Sequence, residues 1–371
     1  MEKYFMAAMG GAYGFGNKSI KRVADFFGSA QTAWFAEDGD LFKSGAGRKQ
    51  LEAFIAFRRE HPNAPEKLIG YCQRHKINLC SINDADYPPI LKEITDPPMF
   101  FYYRGQLAPY TQRIGIVGTR DNTRYGKEVA LELAEQLAAA GLTVVSGAAR
   151  GIDTLAHTGA MRYGRTVAVL GCGINIVPSR EKQKLLEQIA ENGVVLSEFP
   201  PQMRPNEGTF PARNRIIAGL SLGVIVVEAG KKSGALISAS YAGDYGRTVF
   251  VIPGTIYFEK SIGCHELIRD GATLIKNAQD VLDELNITAP LELTAEVAAK
   301  PKTQPAQVKP IQLSAIAAKV LEVIPLKNFI TDDEILMQVD DLDPGELSKI
   351  MIELDLKGCI EEDAGRYKRK V

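Results

Sequence analysis

The sequence predicts an α/β fold: a doubly wound parallel sheet, preceded by a helical N-terminal domain and followed by a small winged-helix domain. Three observations carry that prediction. From Arg113 onward, short apolar runs rich in β-branched residues alternate with helical patterns. The runs are apolar at successive positions, as in Val224-Ile225-Val226-Val227, so each is expected to be buried on both faces. Each run ends in glycine or another small residue that leads toward a helix, as parallel sheets with crossover helices require.

Residues 1–80 read as helices and make the first domain. Met9 to Ser19, with glycines at 10, 11, 14 and 16, followed by Ile20, Val23, Phe26 and Phe27, gives helix, glycine turn, helix. It resembles a helix-hairpin-helix or SAM-like unit, and a plain helical hairpin fits the same pattern. Pro88-Pro89 and Pro97-Pro98 then break regular structure and mark a domain boundary near residue 81. Over 81–285 the expected strands are Ile114–Gly118, Thr143–Ser146, Thr166–Gly171, Val194–Ser197, Gly223–Val227 and Thr248–Ile252. Helical patterns such as Lys127–Ala140 and Lys182–Asn192 lie between them, and the order of the strands is left open.

Residues 286–310 carry Pro290, Pro301, Pro305 and Pro310 and are poor in aromatics, the composition of a linker. In 311–371, Ser314–Val323, Asp332–Val339 and Pro344–Leu356 read as short helices. Cys359–Glu361 and Tyr367–Arg369 flank Gly365 as a small hairpin, which completes a winged-helix pattern. Its third helix carries Asp343, Glu346, Glu353 and Asp355 against Lys349 and Lys357. That surface suits a protein contact or a capping role better than a phosphate-lined groove, while the tail Arg366, Lys368, Arg369 and Lys370 leaves a DNA contact open.

Composition narrows the classes. At 371 residues the chain is too long for one ordinary domain, and 45% apolar with 24% charged residues is that of soluble globular protein. No apolar run approaches a membrane span, and the start MEKYFMAAMGGAYG has no secretory pattern, so neither anchor nor leader is expected. Five dispersed cysteines without CxxC spacing suggest reduced thiols in a cytoplasm. Four histidines with no metal-ligand spacing point away from zinc, so no metal or cofactor is expected. Residues 311–371 hold 13 acidic and 8 basic side chains, a balance of −5, which leaves +4 on the rest of a chain whose net charge is −1. A polyanion site therefore has to be a local concentration of charge on the larger part.

The stretch Phe210 to Ser238 organises the chemistry. Phe210, Ile216, Ile217 and Leu220 share one side of a helix, and Arg213 projects onto that same side. A guanidinium facing the core is costly unless it binds an anion or is paired, and Glu228 is the pairing candidate. Helix start and strand end both lie at the carboxyl edge, so Arg213, Asn214, Arg215, Glu228, Lys231, Lys232 and Ser233 are expected to converge there. Other strand ends carry Gly118-Thr119-Arg120, Ser146-Gly147-Ala148-Ala149-Arg150-Gly151, Gly171-Cys172-Gly173 and Pro253-Gly254-Thr255. Glycine lets a ligand approach the backbone, and helix N-termini attract anions. Neither GxGxxG nor a P-loop is present, and several cradles along one edge suit an extended polyphosphate such as single-stranded nucleic acid. Asp153 and His157, four apart, are a possible acid–base pair, but without a nucleophile motif nearby a helix-face hydrogen bond between them is the simpler expectation.

The ordered strings VGTR ending at Arg120, SGAARGID ending at Asp153, LSEFP, FPARNRIIAGLS, VVEAGKKSGALISA, GRTVFVIPG and IRDGA resemble the DNA-processing protein A (DprA/Smf) family from about Tyr87 to Leu285. The resemblance implies an extended Rossmann-like domain that binds single-stranded DNA, dimerises, and loads the RecA recombinase during natural transformation. It implies no catalytic residues. The DNA-binding positions it carries over are Gly118, Thr119, Arg120, Ser146, Gly147, Arg150, Phe210, Arg213 and Asn214, with Lys231, Lys232, Ser233 and Gly234 beside them, and Phe210 as the ring on which a base stacks. Val177 replaces the family's usual tyrosine before proline, and Ala149-Arg150 bulks a loop that is often smaller. A rival reading is a nucleotide hydrolase of the LOG phosphoribohydrolase type with Glu228 as its acid. The loop Gly230-Lys231-Lys232-Ser233-Gly234 departs from the PGGxGTxxE of those enzymes.

Overall fold

Nine strands form the main sheet among the described residues: β1 (Asn78–Ser81), β2 (Phe100–Gly105), β3 (Arg113–Val117), β4 (Thr143–Ser146), β5 (Thr166–Val169), β6 (Val194–Ser197), β7 (Gly223–Val226), β8 (Thr248–Val251) and β9 (Thr273–Leu274). The protein is seen here as a computed structural model, which describes residues 1–108, 111–287, 314–326, 329–339, 342–357, 359–363 and 366–369. It divides into two compact units, Met1–Ala299 and Lys300–Val371.

The order across the sheet is β1-β2-β6-β5-β4-β3-β7-β8-β9. From β6 to β9 every pairing is parallel, and β1 and β2 close one edge in antiparallel register. The chain steps outward from β3 through β4 and β5 to β6, then returns to lay β7 on the other side of β3 and continues through β8 to β9. That reversal is the topological switch point of a doubly wound sheet.

All six expected strands are present within one or two residues, and they are buried on both faces for the reason their composition suggested. Ile114 and Ile116 of β3, Ile225 of β7 and the following Val227 pack under the helices Arg124–Ala139 and Ile152–Ala160. Val117, Val224 and Val226 point the other way, under Thr209–Gly219 and Ala235–Asp244. Each fully buried side chain of this kind stabilises by about 1.5–3 kcal/mol, so both faces need a helical cover.

Three strands were not foreseen. β1 lies at the end of a segment read wholly as helix, and β2 lies beyond the Pro97-Pro98 break, in a stretch to which no element was assigned. The aromatic run from Phe100 to Tyr103 is the signal for β2, since rings pack well on a pleated, half-buried surface. β9 has only two residues, too short for any periodicity.

The N-terminal segment begins with the helices Glu2–Met9 and Asn17–Phe27, joined by the glycine turn. Phe5, Met9, Phe15, Trp34 and Phe54 build its core, with the rings of Phe15 and Phe54 stacked at 4.8 Å. Phe100 and Tyr102 of β2 and Leu170 belong to the same apolar cluster, so the helical segment shares its core with the sheet.

The linker read over 286–310 lies outside the described residues except for its first two, as do Gly365 and Lys370. The second unit contains the helices Ala315–Val323, Asp332–Leu336 and Pro344–Leu356. Beside them, β10 (Ile330–Thr331), β11 (Ile360–Asp363) and β12 (Arg366–Arg369) form a three-stranded antiparallel sheet in the order β10-β12-β11. The middle helix starts on a capping box between Thr331 and Glu334 and is shorter than the pattern suggested.

Candidate functional site

Beyond the carboxyl ends of β3 and β7 the two neighbouring loops leave the sheet in opposite directions, and a cleft of about 620 Å³ opens between them. Gly118, Thr119 and Arg120 line it from the loop after β3. Phe210, Arg213 and Asn214 line it from the helix Thr209–Gly219, and Lys231, Lys232, Ser233 and Gly234 from the loop after β7. A second cavity of about 770 Å³ adjoins it, sharing Arg120, Phe210 and Arg213 and adding Gly147 and Arg150. The fold thus gathers twelve of the thirteen expected positions onto two connected hollows at one sheet edge.

Ser146 is the exception. It is fully buried at the end of β4, and its hydroxyl donates to the carbonyl oxygen of Ile116 at 2.7 Å. Its proton is given to the sheet, behind the cleft.

Arg213 is buried, but not against Glu228. Its guanidinium donates to the carbonyl oxygens of Gly147 and Val169, and its Nε donates to Asn214 Oδ1 at 3.1 Å. These carbonyls lie at the ends of β4 and β5, where the strand ladder stops, and an unpaired buried carbonyl is costly. Arg213 therefore ties two strand ends together while part of it remains on the cleft wall. Asn214 donates to Gly234 O at 3.1 Å and so fixes the loop after β7 to the same helix.

Glu228 and Arg215 do not join the convergence. The Glu228 carboxylate accepts from the backbone N–H of Thr123 at 2.9 Å and from the Thr123 hydroxyl, which places it at the start of the helix Arg124–Ala139. A carboxylate is favoured there by the orphan N–H groups and the helix dipole. Two residues beyond Arg213, and so about 200° around the helix, Arg215 faces away. It donates to Asp96 O at 2.6 Å and to Glu198, which also accepts from Asn17 Nδ2 at 2.7 Å.

The exposed cations are Arg120, Arg150, Lys231 and Lys232. The guanidinium of Arg120 stands over the ring of Phe210, 5.1 Å from its centroid, and Arg150 Nε donates to Arg120 O at 3.2 Å. A ring and a guanidinium plane so placed offer both a stacking surface and a phosphate donor. The glycines divide into two kinds. A Cβ on Gly118 would lie 2.6 Å from Ile152, and one on Gly147 would run into the Arg213 guanidinium, so these serve internal packing. Gly234 has nothing within 4 Å of that position and stays open to a ligand.

Asp153 and His157 make no acid–base pair. Asp153 Oδ2 accepts from Ala149 N at 3.2 Å, and His157 Nδ1 lies 2.7 Å from Thr166 Oγ1. Because the Thr166 hydroxyl donates to Val144 O, it is His157 Nδ1 that carries the proton. Nε2 is then a buried acceptor without a partner. Burial, helped by the charges of Lys182 and Arg213, pushes His157 down to about 3 and keeps it neutral.

Two residues of the site escaped the sequence reading. Lys182 lines the larger cavity from the first turn of the helix Arg180–Asn192; burial lowers its amine to about 8, against the opposing pull of Asp153. Ser179, which caps that helix, was the available signal. Lys260 reaches the cleft from the loop after β8 and pairs with Asp121 at 2.9 Å. Nothing local in the sequence brings 260 to 121.

The fold and the site together define a Rossmann-like α/β protein with a basic crevice at its switch point and without a P-loop or dinucleotide fingerprint. The chain belongs to the family of DNA recombination-mediator protein A, which matches over residues 78–286. Protein Smf of Synechocystis is 33% identical to it, covering 100% of this chain and 99% of its own length. The DNA processing protein DprA of Bacillus subtilis is 39% identical, covering 66% of this chain and 82% of the relative. The X-ray structure of DprA from Streptococcus pneumoniae superposes with a TM-score of 0.68 at 34% identity, covering 76% of this chain and 98% of that one. A second structure, of DNA processing protein A from Helicobacter pylori, gives a TM-score of 0.51 at 32% identity over 56% of this chain and 96% of that one; it describes that protein's single-stranded DNA binding mode. Among the described residues no helix is long and apolar enough to cross a membrane, and no cluster of metal-ligating side chains occurs.

Proposed function

We propose that this protein binds single-stranded DNA along the carboxyl edge of its sheet and hands the strand to a RecA-type recombinase during DNA uptake, acting as a cytoplasmic homodimer. The observation that carries the reading is the switch-point cleft. Arg120, Lys231 and Lys232 project there beside Phe210, between the starts of two helices. Phosphates take the cations and backbone donors, and a base takes the ring, an arrangement that selects a flexible strand and reads little sequence. The single-stranded DNA binding described for the Helicobacter pylori relative supports it. Catalysis is no part of the reading. Glu228, the acid a hydrolase would need, is buried and engaged by Thr123.

The test is fluorescence anisotropy with a single-stranded oligonucleotide and its duplex over a salt series. Tighter binding of the single strand, weakening steeply with salt, is expected. Equal affinity for duplex or a flat salt response sinks the reading, and cleavage of a nucleoside monophosphate by the pure protein revives the hydrolase.

A further inference from the structure

The loop that follows β8 carries two rings for which the protein's own packing has no use. Tyr257 is 87% exposed and Phe258 is 56% exposed, next to Ile256 at 75%. Large apolar side chains in such a row are unusual on a monomer surface and mark a contact. This loop is not a loose end. Tyr125 donates from its hydroxyl to Pro253 O at 2.9 Å, Lys260 pairs with Asp121 at 2.9 Å, and Gly263 N donates to Ala229 O at 2.9 Å. Those pins fasten it to the loop after β3, to the helix Arg124–Ala139 that follows that loop, and to the loop after β7, along the banks of the cleft. Glu259, Lys260 and Ile262 are themselves part of the cleft wall.

We propose that Tyr257 and Phe258 form a nucleobase-stacking platform at the mouth of the cleft, which takes the bases of the nucleotides next to those whose phosphates lie at Arg120, Lys231 and Lys232. The inference rests on the reading of the cleft as a single-stranded DNA site. The occupant follows from what surrounds the rings. A polyanion held in a basic cleft has to continue past the pinned loop, and every base has a π face that an exposed ring can cover without selecting sequence. The platform widens the site beyond the single ring of Phe210, so several nucleotides are held at once.

The wild-type protein, Tyr257→Ala, Phe258→Ala and the double variant are compared by anisotropy on a twenty-residue oligothymidylate and on an abasic phosphodiester strand of equal length. The double variant is expected to lose roughly tenfold or more on the oligothymidylate and almost nothing on the abasic strand, with an unchanged salt slope. Tyr257→Trp is expected to retain full affinity. Because both rings are exposed, the variants keep the wild-type melting temperature. An unchanged affinity for oligothymidylate, or an equal loss on the abasic strand, overturns the platform. So does a change in the sedimentation mass of the DNA-free double variant with DNA affinity intact, which assigns the rings to a protein contact. If the wild-type protein binds neither strand, the reading of the cleft fails first, and that result is distinct from all of these.

Discussion

Arg213 holds Gly147: the guanidinium on the helix Thr209–Gly219 donates to the carbonyl oxygen at the end of β4, and it donates also to Val169 at the end of β5. Arg213 is thereby a fold residue and a cleft residue together. Burial lowers its guanidinium while Asp153 opposes that shift, and burial in turn raises Asp153. The two buried charges depend on each other.

Arg213→Ala is expected to cost roughly 2–4 kcal/mol, since it leaves two strand-end carbonyls without their donor and the buried Asp153 without the positive charge beside it. Arg213→Lys is expected to recover little, because an ammonium lacks the planar fork that spans the two carbonyls and Asn214. Chemical denaturation measures both. A wild-type unfolding midpoint for either variant contradicts the assignment.

Arg120→Ala separates binding from folding. Its side chain is exposed and rests on Phe210, so its removal opens no core. Single-stranded DNA affinity is expected to fall about tenfold, ~1.4 kcal/mol, and the salt slope to shrink by about one. A fall in melting temperature with unchanged affinity would instead make Arg120 structural.

Removal of residues 311–371 is expected to change single-stranded DNA affinity by less than about tenfold, ~1.4 kcal/mol. These residues belong to a second compact unit, and their balance of −5 gives little attraction for phosphate. Anisotropy on the truncated chain decides it; a larger loss places the second unit in the binding site.

Acid sensitivity is expected to trace in part to His157. The unfolded chain protonates this imidazole below its ordinary value of 6.5, whereas the folded protein resists until about 3. The unfolded state then binds more protons, so the stability due to this group is complete above 6.5 and is lost as pH falls from 6.5 toward 3. His157→Gln, which cannot charge, is expected to show a shallower drop in melting temperature between pH 7 and pH 4. Parallel curves for the two proteins would exclude the mechanism.

The class of fold, six of the nine strands of the main sheet and the twelve positions that line the cleft and its adjoining cavity were legible in the order of the residues. The apolar runs are continuous where a strand is covered on both faces, as at Val224 to Val227, and that burial is written residue by residue. Small residues at strand ends mark the carboxyl edge just as locally. What the side chains do there was decided by tertiary structure. Ser146 and Gly147 are adjacent in the chain, yet one turns its hydroxyl into the sheet and the other lines the larger cavity. Arg213 takes backbone carbonyls instead of Glu228, because the return of the chain to β7 leaves Glu228 beside Thr123, more than a hundred residues earlier. Lys260 meets Asp121 only because β8 lies next to β7 and β7 next to β3. Periodicity reports which face of an element is buried, whereas the partner of a polar group is set by strand order, and strand order is a property of the whole chain.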